Sequence, residues 1–218
     1  MTEKRSYRLL CPIARALDAV GDRWALLILR DLHAGPARYQ ELQEGLGMAT
    51  NLLSSRLAEL TAAGLIHKPN AGRSAYELTA LGRRTDMVLW ELSRFGVRLD
   101  ADPDPREPGN LRTMALPLRI MFESVTPRPD LVLRLLVDDD TFTITSSSSG
   151  VEVEYGDSET APQLTARMDY VAFLELGEGR MSPKKFFASH LAIIDGAEYR
   201  DDFFSLLGTA MINAARTS

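Results

Sequence analysis

YQELQEGLGMATNLLSSRLAELTAA, residues 39–63, contains two helical patterns separated by a glycine. Residues 39–46 predict a short helix that ends near Gly47, and residues 48–63 predict a second helix that ends before Gly64. Two helices joined by so short a turn form a helix-turn-helix. The N-terminal part of the chain is therefore expected to contain this motif.

The second helix has an apolar and a polar side. Its leucines 53, 57 and 60 share one side and should pack inward. The rest of its surface carries short polar side chains and one guanidinium, which suit contacts with base edges in the major groove. We predict that this helix contacts DNA through Thr50, Asn51, Ser54, Ser55 and Arg56.

Two more helices are predicted before this stretch. Pro12 suits the first turn of a helix because its missing N–H needs no partner there, and apolar residues then recur at helical spacing up to Val20. A second apolar stripe runs from Trp24 to Leu32 and is closed by Gly35-Pro36. Both helices are expected to build the core around the helix-turn-helix.

A hairpin and another helix are predicted after Gly64. Residues 65–68 and 74–78 read as strands joined by a turn at residues 69–72. Lys68 and Arg73 on such a projecting wing suit contacts with phosphates or the minor groove, although charges on an exposed hairpin serve solubility as well. The helix expected from Thr79 to Leu99 is more apolar than a short surface helix requires, which favours dimerisation through it.

The order and spacing of several motifs carry a family resemblance. They are Cys11-Pro12, Leu17-Asp18, Gly21-Asp22-Arg23-Trp24, residues 27–32, 39–42 and 53–60, Gly64-Leu65-Ile66 and residues 76–82. Over residues 7–99 the chain resembles the HxlR-type winged helix-turn-helix regulators. The resemblance implies a bacterial homodimer that binds a palindromic operator in double-stranded DNA, expected here to repress. The family often has a basic residue early in the recognition helix, and residues 48–51 contain none, so affinity is expected to depend more on the wing.

Cys11 is the only cysteine, so the chain forms no internal disulfide and a reducing compartment is expected. Some relatives sense quinones, aldehydes or oxidants through a cysteine at the matching position. A helix N-terminus favours the reactive thiolate, and Arg8 and Arg15 add positive charge. Other regulators of this type keep the Cys-Pro pair without a sensing role. Redox or electrophile sensing at Cys11 and a purely structural cysteine both stay open.

The two halves of the chain differ in charge. Residues 1–100 contain 14 Lys and Arg against 11 Asp and Glu, whereas residues 101–218 contain 11 against 19. Because DNA attracts basic and repels acidic surfaces, DNA binding is assigned to the first half. Residues 100–110 contain three prolines and several charges, which predicts a linker between a domain at 1–99 and a domain at 111–218.

The second half predicts an α+β domain with an antiparallel or mixed sheet. A helix from Leu111 to Phe122 is expected to be interrupted or bent at Pro117. The following elements are expected to be strands at 131–137, 141–145, 151–155 and 163–168, a helix capped by Asp169, a helix at 182–188, a strand at 192–194 and a last helix through Met211.

This order resembles the sterol carrier protein type 2 fold, on the residues Leu164-Thr165-Ala166, 170–174 with Gly177, Pro183 with Phe186-Phe187, and 193–196. The resemblance covers residues 111–213 and implies a cavity for a hydrophobic small-molecule effector such as a lipid or acyl chain. The candidate lining residues are Phe142, Leu174, Phe186, Phe187, Phe203 and Met211. The alternative is that these side chains simply fill the core.

Catalytic, metal and cofactor sites find no support in the sequence. The three histidines are scattered, and neither a zinc-ligand spacing nor a phosphate-binding glycine loop occurs. No long apolar run or signal segment is present, so a cytoplasmic location without membrane contact is expected. Besides a DNA-binding regulator, two rivals stay open: a lipid carrier or ligand-binding module whose winged helix mediates protein contacts, and an enzyme with its site in the second domain.

Overall fold

A computed structural model describes residues 6–68, 75–99, 110–123, 125 and 130–216 of this 218-residue chain. The chain divides into two compact units, residues 1–92 and 93–218. Most of the predicted linker, residues 100–109, lies outside the described residues, so the boundaries 1–99 and 111–218 stay predictions. Among the described helices, none is long and apolar enough to cross a membrane.

Six helices are described between Pro12 and Val97. They are α1 (Pro12–Val20), α2 (Arg23–Leu32), α3 (Tyr39–Leu46), α4 (Thr50–Ala62), α5 (Ala80–Arg83) and α6 (Asp86–Val97). The predicted bounds of α1 and α3 are confirmed, and those of α2 and α4 are confirmed to within two residues.

The turn between α3 and α4 depends on Gly47. This residue ends α3 with φ of 61° and ψ of 28°, a left-handed conformation that glycine adopts without the steric cost of a β-carbon. Met48, which follows it, is buried at 4% relative exposure. The turn therefore redirects the chain sharply into α4 and also contributes to the core.

A small antiparallel sheet accompanies these helices. It consists of β1 (Ala37–Arg38), β2 (Ile66–His67) and β3 (Ala75–Leu78), in the order β1-β3-β2. The β2–β3 hairpin confirms the predicted wing strands, while its tip at residues 69–74 lies outside the described residues. The strand β1 was not predicted, because two residues are too few to show an alternating pattern.

The single helix predicted from Thr79 to Leu99 is wrong. In one continuous helix the Gly82 carbonyl would accept the N–H of residue 86. Instead, Thr85 donates both its N–H (3.0 Å) and its hydroxyl (2.7 Å) to that carbonyl, which ends α5. The Thr85 hydroxyl also accepts from Nε2 of buried His33 at 3.0 Å, so a contact from the residue after α2 helps to hold the break before α6.

The second unit contains a five-stranded sheet in the order β6-β5-β4-β7-β8. The β4–β7 pair is parallel and the other pairs are antiparallel, which confirms a mixed sheet. The strands are β4 (Leu131–Val137), β5 (Asp140–Ser147), β6 (Gly150–Tyr155), β7 (Leu164–Met168) and β8 (Leu191–Asp195). The helices are α7 (Ala115–Glu123), α8 (Tyr170–Gly177), α9 (Pro183–Ser189) and α10 (Arg200–Arg216).

One side of this sheet forms the core of the second unit. Leu133 lies between Ile144 and Leu164 in the register of β5, β4 and β7, and these three side chains are buried. The next residue, Arg134, lies on the opposite side and pairs with exposed Asp157 at 2.6 Å. Strand residues alternate between the two sides, so this pattern places Leu133, Ile144 and Leu164 on one side of the sheet and Arg134 on the other.

Two local predictions in this unit need correction. The helix predicted from Leu111 is interrupted before Pro117 rather than at it: a 3₁₀ turn at Leu111–Met114 precedes α7, and Pro117 lies in the first turn of α7, where a missing N–H costs little. Asp169 precedes α8 as predicted, but its carboxylate makes no capping hydrogen bond. It accepts instead from Nδ1 of His190 at 2.8 Å.

Gly196, which follows β8, is predicted to be the least replaceable glycine of the second unit. Its φ is +75°, and an added β-carbon would lie 1.9 Å from the Gln163 carbonyl oxygen. Gly196→Ala should lower the free energy of unfolding by about 2–5 kcal/mol through backbone strain and overlap. Gly179→Ala is the matched control, because φ there is +72° with no atom within 4 Å. It should cost about 1–2 kcal/mol.

Urea unfolding followed by far-ultraviolet circular dichroism measures both variants. The sequence contains two tryptophans, Trp24 and Trp90, both in the first unit, so intrinsic tryptophan fluorescence would report chiefly on that unit. Equal losses in the two variants would contradict the role assigned to the close approach at Gly196.

Candidate nucleic-acid interface

The helix α4 has a buried apolar side and an exposed polar side. Leu53, Leu57 and Leu60 are at most 2% exposed, and each such burial contributes about 1.5–3 kcal/mol. Thr50, Asn51, Ser54 and Ser55 are all exposed. The structure therefore brings these four predicted DNA contacts together on the outer surface of one helix.

Two side chains of α3 hold the first turns of α4. The Tyr39 hydroxyl donates to the Thr50 carbonyl at 2.8 Å and lies 3.1 Å from Ser54 Oγ. Gln43 Nε2 donates to Thr50 Oγ1 at 2.9 Å. Sequence reasoning missed both residues, although their four-residue spacing on a helix places them on one face. Together they orient the exposed surface of α4 relative to α3.

The guanidinium of Arg56 is engaged inside the first unit. Its Nε lies 3.1 Å from Asp22 Oδ1 and its Nη1 lies 2.6 Å from Glu59 Oε2, with 22% of the side chain exposed. Asp22 also caps α2 by accepting from the Trp24 N–H at 2.9 Å. Arg56 thus links α4 to the start of α2. Its predicted contact with DNA stays a prediction.

Glu59 also binds a second polar residue of α4. The Ser55 hydroxyl donates to Glu59 Oε1 at 3.0 Å while Arg56 binds the other carboxylate oxygen. A carboxylate near a DNA-binding surface would repel phosphates, and the adjacent guanidinium offsets that charge. The arrangement keeps a negative residue on α4 without leaving its charge uncompensated.

Lys68 follows β2 at the base of the wing. Its side chain is exposed, with Nζ 5.4 Å from the ring centroid of Tyr76 on β3. An ammonium over an aromatic face is weakly attracted to it, which favours this position over a fully extended one. Arg73, the second predicted contact of the wing, lies outside the described residues.

Cys11 lies immediately before α1 and its thiol is exposed. The segment ahead of it is tied back to α1, because the Ser6 hydroxyl and the Tyr7 N–H both donate to the Asp18 carboxylate at 2.8 and 3.0 Å. An accessible thiol at a helix start is compatible with either reading of this cysteine. Sensing at Cys11 stays a prediction.

An apolar stripe is exposed on α6. Met87, Val88, Leu92 and Phe95 are 46–60% exposed, and Met87, Val88 and Leu92 line a shallow groove together with Glu91. Val88, Leu92 and Phe95 recur at spacings of four and three residues, so they share one side of the helix, and Met87 precedes them directly. Leu9 and Leu10 ahead of α1 and Ile13 in its first turn are also largely exposed. Apolar surface of this kind marks contacts with a partner.

Three of the six predicted ligand-pocket residues take part in one set of ring contacts. Phe186 and Phe203 are buried and Phe187 is half-buried, and these three join Phe173 and Phe204 in a chain of ring contacts with centroids 5.5–6.5 Å apart.

Phe142 and Leu174 are not members of this chain of rings. Phe142 instead packs edge-on against Tyr155 in the sheet at 5.4 Å, and Leu174 is 40% exposed. The side chain of Met211 lies outside the described part of the structure. A cavity lined by the six residues stays a prediction.

Comparison with known proteins assigns the first unit to a family. Residues 19–102 match the HxlR-like helix-turn-helix family. An uncharacterised HTH-type transcriptional regulator of Synechocystis is 35% identical over 92 residues, which cover 40% of this chain and 68% of the relative. The chain belongs to the HxlR-like helix-turn-helix family. A Bacillus subtilis relative, also described as an uncharacterised HTH-type transcriptional regulator, is 30% identical and is covered over 85% of its length.

Other matches also cover only part of this HxlR-like chain. It spans only 56% of the length of the Mycobacterium bovis regulator with which it shares 38% identity over 88 residues. The quinone-bound structure of YodB from Bacillus subtilis matches 41% of the chain and 100% of YodB at 27% identity, with a TM-score of 0.38. The UbiJ-SCP2 ubiquinone synthesis protein matches 62% of the chain at 14% identity, with a TM-score of 0.29.

Replacing Arg56 is expected to destabilise the first unit. Arg56→Ala removes two charge-assisted contacts and leaves the Asp22 and Glu59 carboxylates without their shared cation, which should cost about 1–3 kcal/mol. The control is Arg83→Ala on the exposed surface of α5, where a loss within about 0.5 kcal/mol is expected. Thermal unfolding at equal ionic strength measures both. An unchanged stability of Arg56→Ala would show that the ion pairs contribute nothing measurable.

Proposed function

We propose that the protein is a sequence-specific DNA-binding transcriptional regulator. The observation that carries this proposal is the exposed row of hydrogen-bonding side chains on α4, which buried leucines and α3 hold in one orientation. An α-helix fits the major groove of B-DNA, where base edges present distinct donors and acceptors. Membership in a helix-turn-helix family and relatives described as transcriptional regulators support the same proposal.

The charge distribution favours DNA contact through the first unit. Its basic excess includes exposed Lys68 beside the hairpin, whereas the acidic residues of the chain are concentrated after residue 100. Phosphate contacts contribute affinity without sequence selectivity, and contacts in the groove contribute selectivity. We assign the first role to the wing, with Lys68 and Arg73, and the second role to α4.

We further propose that the protein binds a palindromic operator as a homodimer through α6. The stripe Met87, Val88, Leu92 and Phe95 would be covered by the same stripe of a second copy, because a two-fold interface uses one surface twice. Two helix-turn-helix motifs related by a two-fold axis recognise two half-sites about one helical turn apart. A symmetric operator follows from such a dimer.

Control of DNA binding stays at the level of prediction. The resemblances predict repression, a lipophilic effector in the second unit and thiol chemistry at Cys11. The aromatic chain from Phe173 to Phe203 reaches the surface at three half-buried rings, which favours the second unit as the place of an apolar effector. A lipid carrier with a protein-binding winged helix is the alternative to a regulator.

Duplex DNA from upstream of the gene tests the regulator. In fluorescence anisotropy titrations at several salt concentrations, we expect a salt-sensitive complex that resists non-specific competitor. Lys68→Ala should reduce the slope of log K against log salt by about one, the effect of one lost phosphate contact. Lys184→Ala, an exposed lysine of the second unit, should leave the slope unchanged.

Absence of a competitor-resistant complex on this duplex, followed by failure of a genome-wide binding screen, would sink the regulator proposal. Tight retention of a lipid by the same preparation would then favour the carrier. A complex whose salt slope is insensitive to Lys68→Ala would remove only Lys68 from the interface.

The dimer is tested by placing a charge among the exposed apolar residues of α6. Leu92→Arg should shift sedimentation velocity from dimer to monomer, because two buried guanidiniums would face each other across the two-fold axis. Leu174→Arg is the matched control, since that leucine is similarly exposed but lies on α8 of the second unit. A Leu92→Arg protein that sediments as the parent does would place the interface elsewhere.

A further inference from the structure

The four exposed polar residues in the first two turns of α4 differ in whether their hydrogen-bonding groups are already paired within the protein. Thr50 and Ser54 are held by Gln43 and Tyr39 of α3, and Ser55 donates its proton to Glu59. Asn51 is exposed, and within the described part of the chain its amide has no hydrogen-bond partner. The side-chain amide of Asn51 therefore offers both its donor and its acceptor to a ligand.

The direction of each hydrogen bond follows from proton counting. A carbonyl only accepts, so the single hydroxyl proton of Tyr39 is donated to the Thr50 carbonyl. The contact between Tyr39 and Ser54 then requires the Ser54 hydroxyl to donate. Ser54 retains lone pairs but no proton for DNA. Gln43 donates to Thr50 Oγ1, which leaves the Thr50 proton available.

These hydrogen bonds leave the four residues with different donors and acceptors for DNA. A phosphate oxygen needs a donor, which Thr50 retains and Ser54 and Ser55 do not. A side-chain amide carries one acceptor and one donor group, which match the N6 donor and the N7 acceptor of adenine in the major groove. Asn51 lies in the first turn of α4, and the N-terminal residues of a recognition helix are the ones that contact bases.

We propose that Asn51 reads an adenine in each operator half-site, and that Tyr39 and Gln43 are positioning residues that set its approach. The inference rests on the proposed DNA-binding function and adds the base that the site selects. The contacts of Tyr39 and Gln43 both end on the first two turns of α4. A rotation of α4 that moved Asn51 away from its base would have to break them.

The test begins with selection by the full-length protein from a library of random-sequence duplexes. The resulting consensus duplex, its single-position variants and a scrambled duplex of equal length are then titrated with each variant. For Asn51→Ala we expect about 5- to 150-fold weaker binding to the consensus and loss of preference at one adenine per half-site. Affinity for the scrambled duplex should not change.

Two further variants separate reading from positioning. Tyr39→Phe keeps the ring and removes the hydroxyl, so it should lower the ratio of consensus to scrambled affinity by about 2- to 10-fold across several positions. Thr61→Ala, an exposed residue near the end of α4, is the control and should leave the ratio unchanged. Circular dichroism melting of each variant establishes that it is folded at the assay temperature.

Each outcome of the selection has one meaning. If the parent selects a consensus and Asn51→Ala selects the same one, with its adenine preference intact, the role of Asn51 is wrong and the regulator proposal stands. A Tyr39→Phe protein with parental selectivity at all positions would remove the positioning role. If the parent selects no consensus, the regulator proposal and this inference fail together.

Discussion

Burial of three leucines on one side of α4 is the constraint on which the rest of the first unit depends. Leu53, Leu57 and Leu60 recur at spacings of four and three residues, so a helix places them on one side and the polar residues on the other. Rotating α4 to bury its polar side would expose these leucines and desolvate four hydrogen-bonding groups. The orientation of the candidate interface is thus set by the core.

Polar contacts refine this orientation. Arg56 joins α4 to the cap of α2, and Tyr39 and Gln43 join it to α3. Each contact is worth less than the burial of a leucine, but hydrogen bonds depend on direction where apolar packing does not. The first unit therefore uses apolar burial for stability and directional contacts to determine which groups remain available at the surface.

Periodic patterns in the sequence predicted most secondary-structure elements well, but they did not predict contacts between residues far apart in the chain. The spacing of apolar residues predicted α1, α3 and the strands of the second unit closely. It failed at Thr85, where the helix break depends on a hydroxyl that bonds to Gly82 and to His33, 52 residues away. It also missed β1, whose two residues are extended because they pair with β3. The candidate site shows the same division: the exposure of Thr50, Asn51, Ser54 and Ser55 follows from the helical period. The contacts of Tyr39 and Gln43 with α4, and of Arg56 with Asp22, join separate elements.

The sequence by itself determined the two helices of the helix-turn-helix, the strands of the second unit and the polar side of α4, because each follows from the period of side chains along one element. The parallel β4–β7 pair, which makes the sheet mixed rather than antiparallel, came only from the tertiary structure. Only the tertiary structure decided which of those polar groups are already paired. Arg56 and Asn51 are both polar residues of α4 when read along the chain, yet Arg56 lies between the carboxylates of Asp22 and Glu59 while Asn51 faces outward. The Arg56–Glu59 pair follows from a three-residue spacing on α4, but only folding brings Asp22 within 3.1 Å of Arg56, and no local pattern records that distance.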